Sequence, residues 1–331
     1  MKAILLNEHG TVLNFILSEI PEPKVCSGHV VIKVSASSLN PVDCKIRNGM
    51  LAAIGPELPG VLHGDVAGVV TDVGNGVEGL KVGDEVYGCI GGFKGMPGVL
   101  SEYVLADAKL LAKKPINLTM PQAASVPLVG ITSWNALIDR ANITAGQKVL
   151  VHAGAGGVGH FALQLAKAMG AETHATVSND QKANFAKDLG VDEVIKYSEL
   201  EVHEYVEKLT GGTGYDLVFD TVGGKCLDQS FLAAKEHGTV VSISARSEHD
   251  LTPVHTKSLS LHVVFMLLPI LRNIGRENHG RILDKITSLV EQQKIKPLIH
   301  TQRFSFEEVG QAHQCWESGS AIGKIVLESS W

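Results

Sequence analysis

Lys148-Val-Leu-Val-His-Ala-Gly154-Ala155-Gly156-Gly157-Val158-Gly159 runs directly into His160-Phe-Ala-Leu-Gln-Leu-Ala-Lys-Ala-Met-Gly170. An apolar run breaks into glycines spaced G-x-G-x-x-G, and a helix-like pattern starts at once. Such a turn lets backbone N–H groups approach a pyrophosphate, which then sits on the positive end of the following helix. A Cβ would block both the tight turn and the approach. Because Gly supplies 35 of 331 residues, the spacing alone says little. Its placement after a strand and before a helix is what points to a dinucleotide.

The totals narrow the rest. A chain of 331 residues is long for a single core, so two domains are expected. With 44% hydrophobic and 19% charged residues, it reads as an ordinary globular protein. A net charge of −6 leaves no basic footprint, so no nucleic-acid partner is expected. The five cysteines (Cys26, Cys44, Cys89, Cys226, Cys315) are odd in number and scattered, which fits a reducing cytoplasm better than a disulfide framework. The opening Met1-Lys-Ala-Ile-Leu-Leu is too short for a signal peptide. The longest apolar stretch, Leu261 to Leu271, falls short of the roughly 20 residues that span a bilayer, so no membrane partner is expected and the stretch reads as a buried strand.

Along the chain the texture changes. Up to about residue 120, short β-branched runs such as Val30–Ser35, Val66–Val73 and Glu85–Cys89 lie between Gly, Pro, Asn and Asp. Between roughly 124 and 265, strand-like runs at 149–153, 173–177, 193–197, 216–220, 239–243 and 260–267 alternate with helical segments such as Gln181–Leu189. That alternation predicts a doubly wound parallel sheet of Rossmann type. An amphipathic helix over Gly280–Glu291 and a short strand Lys324–Leu327 follow. The predicted organisation is α/β. Residues 124–265 form a nucleotide-binding domain inserted into a discontinuous β-rich domain of residues 1–123 and 266–331. A cleft between the two is the expected ligand site.

Several segments resemble the medium-chain dehydrogenase/reductase family, in its zinc-free quinone oxidoreductase (zeta-crystallin-like) branch. They are Ser38-Leu-Asn40-Pro41-Val42-Asp43, Gly64-Asp65-Val66-Ala67-Gly68, Ser101-Glu-Tyr103-Val, the glycine loop, Phe219-Asp220-Thr221-Val222-Gly223-Gly224 and Gly323-Lys324-Ile-Val-Leu327. The resemblance implies a partly open, barrel-like (GroES-like) catalytic domain around the Rossmann domain. It also implies a homodimer or homotetramer, with residues 260–267 pairing across a two-fold axis.

Zinc-dependent relatives hold a catalytic zinc with Cys, His and Cys. This chain has Asn40 and Gly64 at the first two places, and no cysteine between Cys89 and Cys226. His63 is one residue off, which in a strand would turn it to the opposite face. No metal is therefore expected. Oxidising an alcohol leans on a Lewis acid, whereas quinones and α,β-unsaturated carbonyls spread incoming negative charge themselves. The predicted reaction is metal-independent reduction of a small quinone or enone by hydride transfer.

The resemblance gives residues roles. Asn40 donates or accepts a hydrogen bond at the nicotinamide ribose or the substrate oxygen; read from the sequence alone it is a turn residue before Pro41. Asp43 is a carboxylate that ties its loop down or faces the cleft. Lys45 is either an enolate-stabilising cation or a solvated lysine, and Cys44 is packing. Gly154, Ala155, Gly156, Gly157, Val158 and Gly159 form the phosphate loop. Thr132, Val222 and Ser242 reach the nicotinamide end, and Lys324 joins the cofactor contacts. No acid stands at Val177, where an NAD-specific fold carries one. Ser178 and Lys182, with Tyr197 beside them, match the residues that relatives use for a 2′-phosphate. NADPH is thus expected over NADH. Asp180 reads as a helix-start acid rather than a displaced ribose ligand. An enoyl-thioester reductase of the same fold and a weakly active NADPH-binding protein remain the alternatives.

Overall fold

The computed structural model describes residues 1–331, which divide into two compact units. The first comprises Met1–Ile131, Leu267–Gln293 and Pro297–Trp331; the second comprises Thr132–Met266 and Lys294–Lys296.

The second unit is built on a six-stranded parallel sheet. Its strands lie in the order Glu193–Lys196, Glu172–Val177, Lys148–Val151, Tyr215–Asp220, Ala234–Ser242 and Ser260–Val263. Numbered along the chain, that order is 3-2-1-4-5-6, the doubly wound arrangement the alternation predicts. Central strands read as continuous apolar runs because both of their faces are covered. Leu150, Val218 and Val240 from three adjacent strands pack with Leu227 and Phe231 of helix Lys225–Ala233, and with Tyr205 of helix Val202–Thr210. The loop that leaves strand Ala234–Ser242 is tied to helix Lys225–Ala233. His249 bridges the two, with Nδ1 2.7 Å from Asp228 Oδ1 and Nε2 2.7 Å from Ser247 Oγ.

One expectation needs correcting here. The sheet's last strand stops at Val263 rather than 267, and it is an edge strand with Val263 54% exposed in the single chain. Pro269 lies near the start of a short helix, Leu268–Arg272, and cannot supply a ladder N–H, so the apolar run divides between strand, loop and helix.

The first unit is β-rich and its sheets do not close into a barrel. Strand His29–Ser38 is its spine. It pairs antiparallel with Asp65–Val73, Tyr103–Asp107 and Val326–Glu328. Two register shifts along the Asp65–Val73 ladder, at Val31/Ile32 and Val34/Ala36, mark bulges that bend the spine between its neighbours. A three-stranded sheet is formed by Phe15–Glu19, Lys2–Leu6 and Gly60–Val61. Helix Glu277–Glu291 covers strand Leu111–Lys113, burying Ile282, Leu283, Ile286 and Val290 at helical spacing.

Candidate active site

In the first unit three strand ends meet. Ser38, at the end of the spine, is opposite Asp65 on one side and Val326 on the other. This register gathers Ser38, Asn40, Asp65 and Lys324, each 3% exposed or less. Asn40 precedes helix Pro41–Arg47, whose first-turn Asp43 reaches back to accept the Asn40 backbone N–H at 2.7 Å. Asp43 is thus the tie of its own loop.

The Asn40 side chain also reaches the neighbouring strand ends. Its Nδ2 donates to Asp65 Oδ2 at 2.8 Å, and its Oδ1 accepts from Lys324 Nζ at 2.5 Å. Lys324 also donates to the Leu39 carbonyl at 2.7 Å and lies 3.6 Å from Asp65 Oδ2. Asp65 accepts further from Ser38 Oγ at 2.9 Å and from the Leu128 N–H at 2.9 Å. Burial pushes the Asp65 carboxyl up from its ordinary value, and Lys324 with these three donors pulls it back. Three donors on two oxygens suit a carboxylate, so we assign the cluster an ammonium–carboxylate pair. Burial pushes Asp43 up to about 7, with Asp65 adding to the rise.

Lys45, half-buried on the same helix, makes no hydrogen bond or ion pair with this cluster. Cys44 and Cys89 are buried thiols whose pKa burial drives upward, so neither is an activated nucleophile. His63 is not in a strand. It adopts a left-handed backbone (φ 67°), and its buried ring meets His313, Nε2 to Nε2, at 3.1 Å. No three His, Cys, Asp or Glu side chains stand together as a metal-binding group. A cavity of about 530 Å³ opens in the first unit among Ile20, Pro56, Lys94, Pro97 and Tyr103, but no residue of the Asn40 cluster lines it.

In the second unit, strand Lys148–Val151 leads through the glycine loop into helix Gly157–Ala168. The glycines have separate jobs. A Cβ on Gly154 would come within 2.6 Å of Ala175 Cβ, and one on Gly159 within 2.2 Å of the Ala153 carbonyl. These two let loop, helix and neighbouring strand close up. Gly156 begins the helix with no side-chain cap, so the first-turn N–H groups of Gly157, Val158 and Gly159 lack the usual partner. An uncapped, glycine-lined helix start fits a pyrophosphate.

At the end of strand Glu172–Val177, Asn179 caps helix Asp180–Asp188 by accepting the Lys182 N–H at 2.9 Å. Asp180 is paired with Lys196 at 2.7 Å, which leaves it a helix-start acid with its own partner. Ser178 and Lys182 are half-buried, and Tyr197 is 57% exposed. Thr132 is buried on helix Pro127–Trp134, and Val222 is exposed. The Ser242 hydroxyl is committed to the protein, donating to Asp220 Oδ2 at 2.7 Å and accepting from the Ser244 N–H at 3.1 Å. Asp220 also accepts the N–H groups of Val222 and Gly223. It therefore shapes the 221–224 turn, a role that sequence reasoning left unassigned. Asp65 likewise carries no spacing that marks its role; only its place in the Gly64–Gly68 segment does.

Residues 26–116 match the alcohol dehydrogenase GroES-like domain and residues 157–273 the zinc-binding dehydrogenase domain. A 2-methylene-furan-3-one reductase from Solanum lycopersicum is 36% identical over 99% of this chain and 79% of its own length. So is a chloroplastic NADPH-dependent alkenal/one oxidoreductase from Arabidopsis thaliana, again 36% identical over 99% and 79%. The chain belongs to the medium-chain dehydrogenase/reductase family. Among solved structures, an alcohol dehydrogenase superfamily protein from Novosphingobium aromaticivorans superposes with a TM-score of 0.95 at 37% identity, covering 99% of both chains. The Escherichia coli quinone oxidoreductase complexed with NADPH gives 0.87 at 28% identity, covering 99% of this chain and 100% of that one.

Proposed function

We propose that this member of the family is a metal-independent, NADPH-dependent oxidoreductase that reduces quinones or α,β-unsaturated carbonyls. The observation that carries the metal-independent part is the donor set around Asn40. It holds an amide, two carboxylates, a hydroxyl, an ammonium and the Cys89 thiol, whose pKa burial drives upward; with no imidazole and no second thiol among them, this is a poor set to grip zinc.

When bound, NADPH supplies a hydride. Gly154–Gly159 and the start of helix Gly157–Ala168 hold its pyrophosphate. Lys182 and Ser178 take the 2′-phosphate, with Tyr197 beside them, while Thr132, Val222 and Ser242 bound the nicotinamide end. Asn40 hydrogen-bonds the oxygen of the hydride acceptor, where charge accumulates during reduction. Lys45, on the helix that follows Asn40, is a further cation for the developing enolate. The proposal includes a homodimer acting in the cytoplasm. No helix is long and apolar enough to cross a membrane.

The test is to strip the protein with a chelator, confirm its metal content by elemental analysis, and follow NADPH consumption against a panel of quinones and enones. Turnover in the metal-free protein is the expected result. Inertness across the panel with NADPH bound, or activity that returns only with zinc, overturns the proposal.

A further inference from the structure

The Asn40 amide offers four hydrogen-bonding positions: two lone pairs on Oδ1 and two hydrogens on Nδ2. Two are already taken. Oδ1 accepts from Lys324 Nζ at 2.5 Å, and one Nδ2 hydrogen goes to Asp65 Oδ2 at 2.8 Å. The opposite orientation of the amide would set Nδ2 against the Lys324 ammonium and Oδ1 against the Asp65 carboxylate, two repulsive contacts in place of two attractive ones. The pair therefore selects a single orientation: Oδ1 faces the ammonium, with its other lone pair on the side of the Asp43 N–H in the helix's capping box, and the second Nδ2 hydrogen is the donor left for a ligand.

Both selecting groups are themselves held. Lys324 is anchored by the Leu39 carbonyl at 2.7 Å, and Asp65 by Ser38 Oγ and the Leu128 N–H, each at 2.9 Å. Neither can swing without breaking buried hydrogen bonds. Lys324, 3% exposed with its ammonium aimed at Leu39, Asn40 and Asp65, is also poorly placed for the cofactor contact expected from the sequence.

We infer that Lys324 and Asp65 are positioning residues that make Asn40 a hydrogen-bond donor, not an acceptor, toward the oxygen of the hydride acceptor. The inference rests on the proposed role of Asn40 and settles which way its amide works. In reduction of an enone, hydride bonds to the β-carbon and the C=C electrons move to become the α-carbon–carbonyl π bond. The carbonyl oxygen gains the negative charge and the cofactor leaves oxidised. The Asn40 N–H strengthens its bond to that oxygen as charge builds, with Lys324 drawing electron density from the amide. A proton from solvent then completes the α-carbon. The class of acceptor this favours has an oxygen conjugated to the reducible bond.

The test is a mutant cycle on the full chain with but-3-en-2-one as substrate, measuring kcat, KM and the NADPH Kd. The variants are Asn40→Ala, Lys324→Met, the charge-neutral pair Asp65→Asn/Lys324→Met, and each of these combined with Asn40→Ala. Removing a preorganised donor typically costs about 100- to 1,000-fold in kcat. Misdirecting it is expected to cost roughly 10- to 100-fold, with the NADPH Kd within about twofold of the original. In the Asn40→Ala background, Lys324→Met should change kcat no further, because both act through one amide. If Lys324→Met alone does not fold, the charge-neutral pair carries the test. Full kcat in the folded pair, losses that multiply with Asn40→Ala, or a raised NADPH Kd at unchanged kcat overturns the inference. An Asn40→Ala variant with wild-type kcat instead overturns the reading of Asn40, and it does so with Lys324 and Asp65 intact.

Discussion

The Nε2 atoms of His63 and His313 lie 3.1 Å apart, so one ring donates and the other must accept. Both imidazoles are buried, Ser37 Oγ lies 3.4 Å from His63 Nδ1, and Phe15 packs 5.1 Å from the His313 ring. Such a pair holds together only while at least one ring is neutral. Burial lowers His63 to about 3 and His313 well below the ordinary histidine value.

Acid should therefore weaken the fold. Between pH 6.5 and about 3 the unfolded chain takes up a proton at His63 that the folded chain refuses. The stability contribution is complete above 6.5 and declines as pH falls through that window. The slope is up to about 1.4 kcal/mol per pH unit for each histidine. His152, lowered by burial to about 4, adds the same sign. Thermal unfolding from pH 7 to pH 4 checks this, with His63→Asn as comparison, since Asn tolerates the left-handed backbone. The variant should start less stable and lose stability less steeply.

Asp43 should act in the opposite direction. Its folded pKa is raised from 3.8 to about 7, so the folded state binds the extra proton. The stability from that proton is full below 3.8 and is lost as pH rises to about 7. Asp43→Asn removes this falling limb, so stability should rise more steeply with pH between 4 and 7 than in the parent. A shallower rise in chemical denaturation experiments would contradict the assignment.

Gly159→Ala should damage the second unit and cofactor binding together. The new Cβ would sit 2.2 Å from the Ala153 carbonyl, and that neighbour is backbone. Forcing the loop away from the helix costs about 1–3 kcal/mol. It should also weaken NADPH roughly tenfold or more, read by calorimetry. Gly156→Ala is the internal contrast. Its Cβ meets nothing closer than the Ala153 carbonyl at 3.2 Å, so the fold should survive while the pyrophosphate approach suffers.

Lys182→Ala should separate the two nicotinamide cofactors. A charge-assisted contact to the 2′-phosphate is worth about 1.5–3 kcal/mol, which is roughly 10- to 150-fold in affinity. KM for NADPH should rise by that order while KM for NADH stays nearly constant. Equal losses for both cofactors would assign Lys182 to the fold instead.

Much of this molecule is local, and local features were legible. The strands of the second unit begin within a residue or two of their apolar runs, apart from Ala234–Ser242, which starts five residues before the expected 239. The glycine loop announced itself because its glycines are closely spaced between a strand and a helix, and Gly159 in particular answers a steric demand from Ala153 a few residues away. The segment after Ser260 was misjudged because an apolar run looks alike in a strand, a loop and a helix start. The cluster around Asn40 was only half visible. Asn40 and Asp43 are neighbours in the chain, but Asp65 and Lys324 join them solely through the pairing of three strands. The His63–His313 pair left no trace at all. Its two members share no spacing, and its existence depends on a left-handed turn and a distant helix.

The closing of the first sheet by Val326–Glu328, with Lys324 seated beneath the end of the spine, also orders events during synthesis. The spine strand leaves the ribosome before its partners, and the residues that complete it are made more than two hundred residues later. The intervening unit has all six of its strands by Val263 and is free to fold while its host still waits. Until Lys324 arrives, Asp65 lacks its counter-charge and Asn40 is held by Asp65 alone. Competence for catalysis thus waits for Lys324, even though the nucleotide platform is complete well before it.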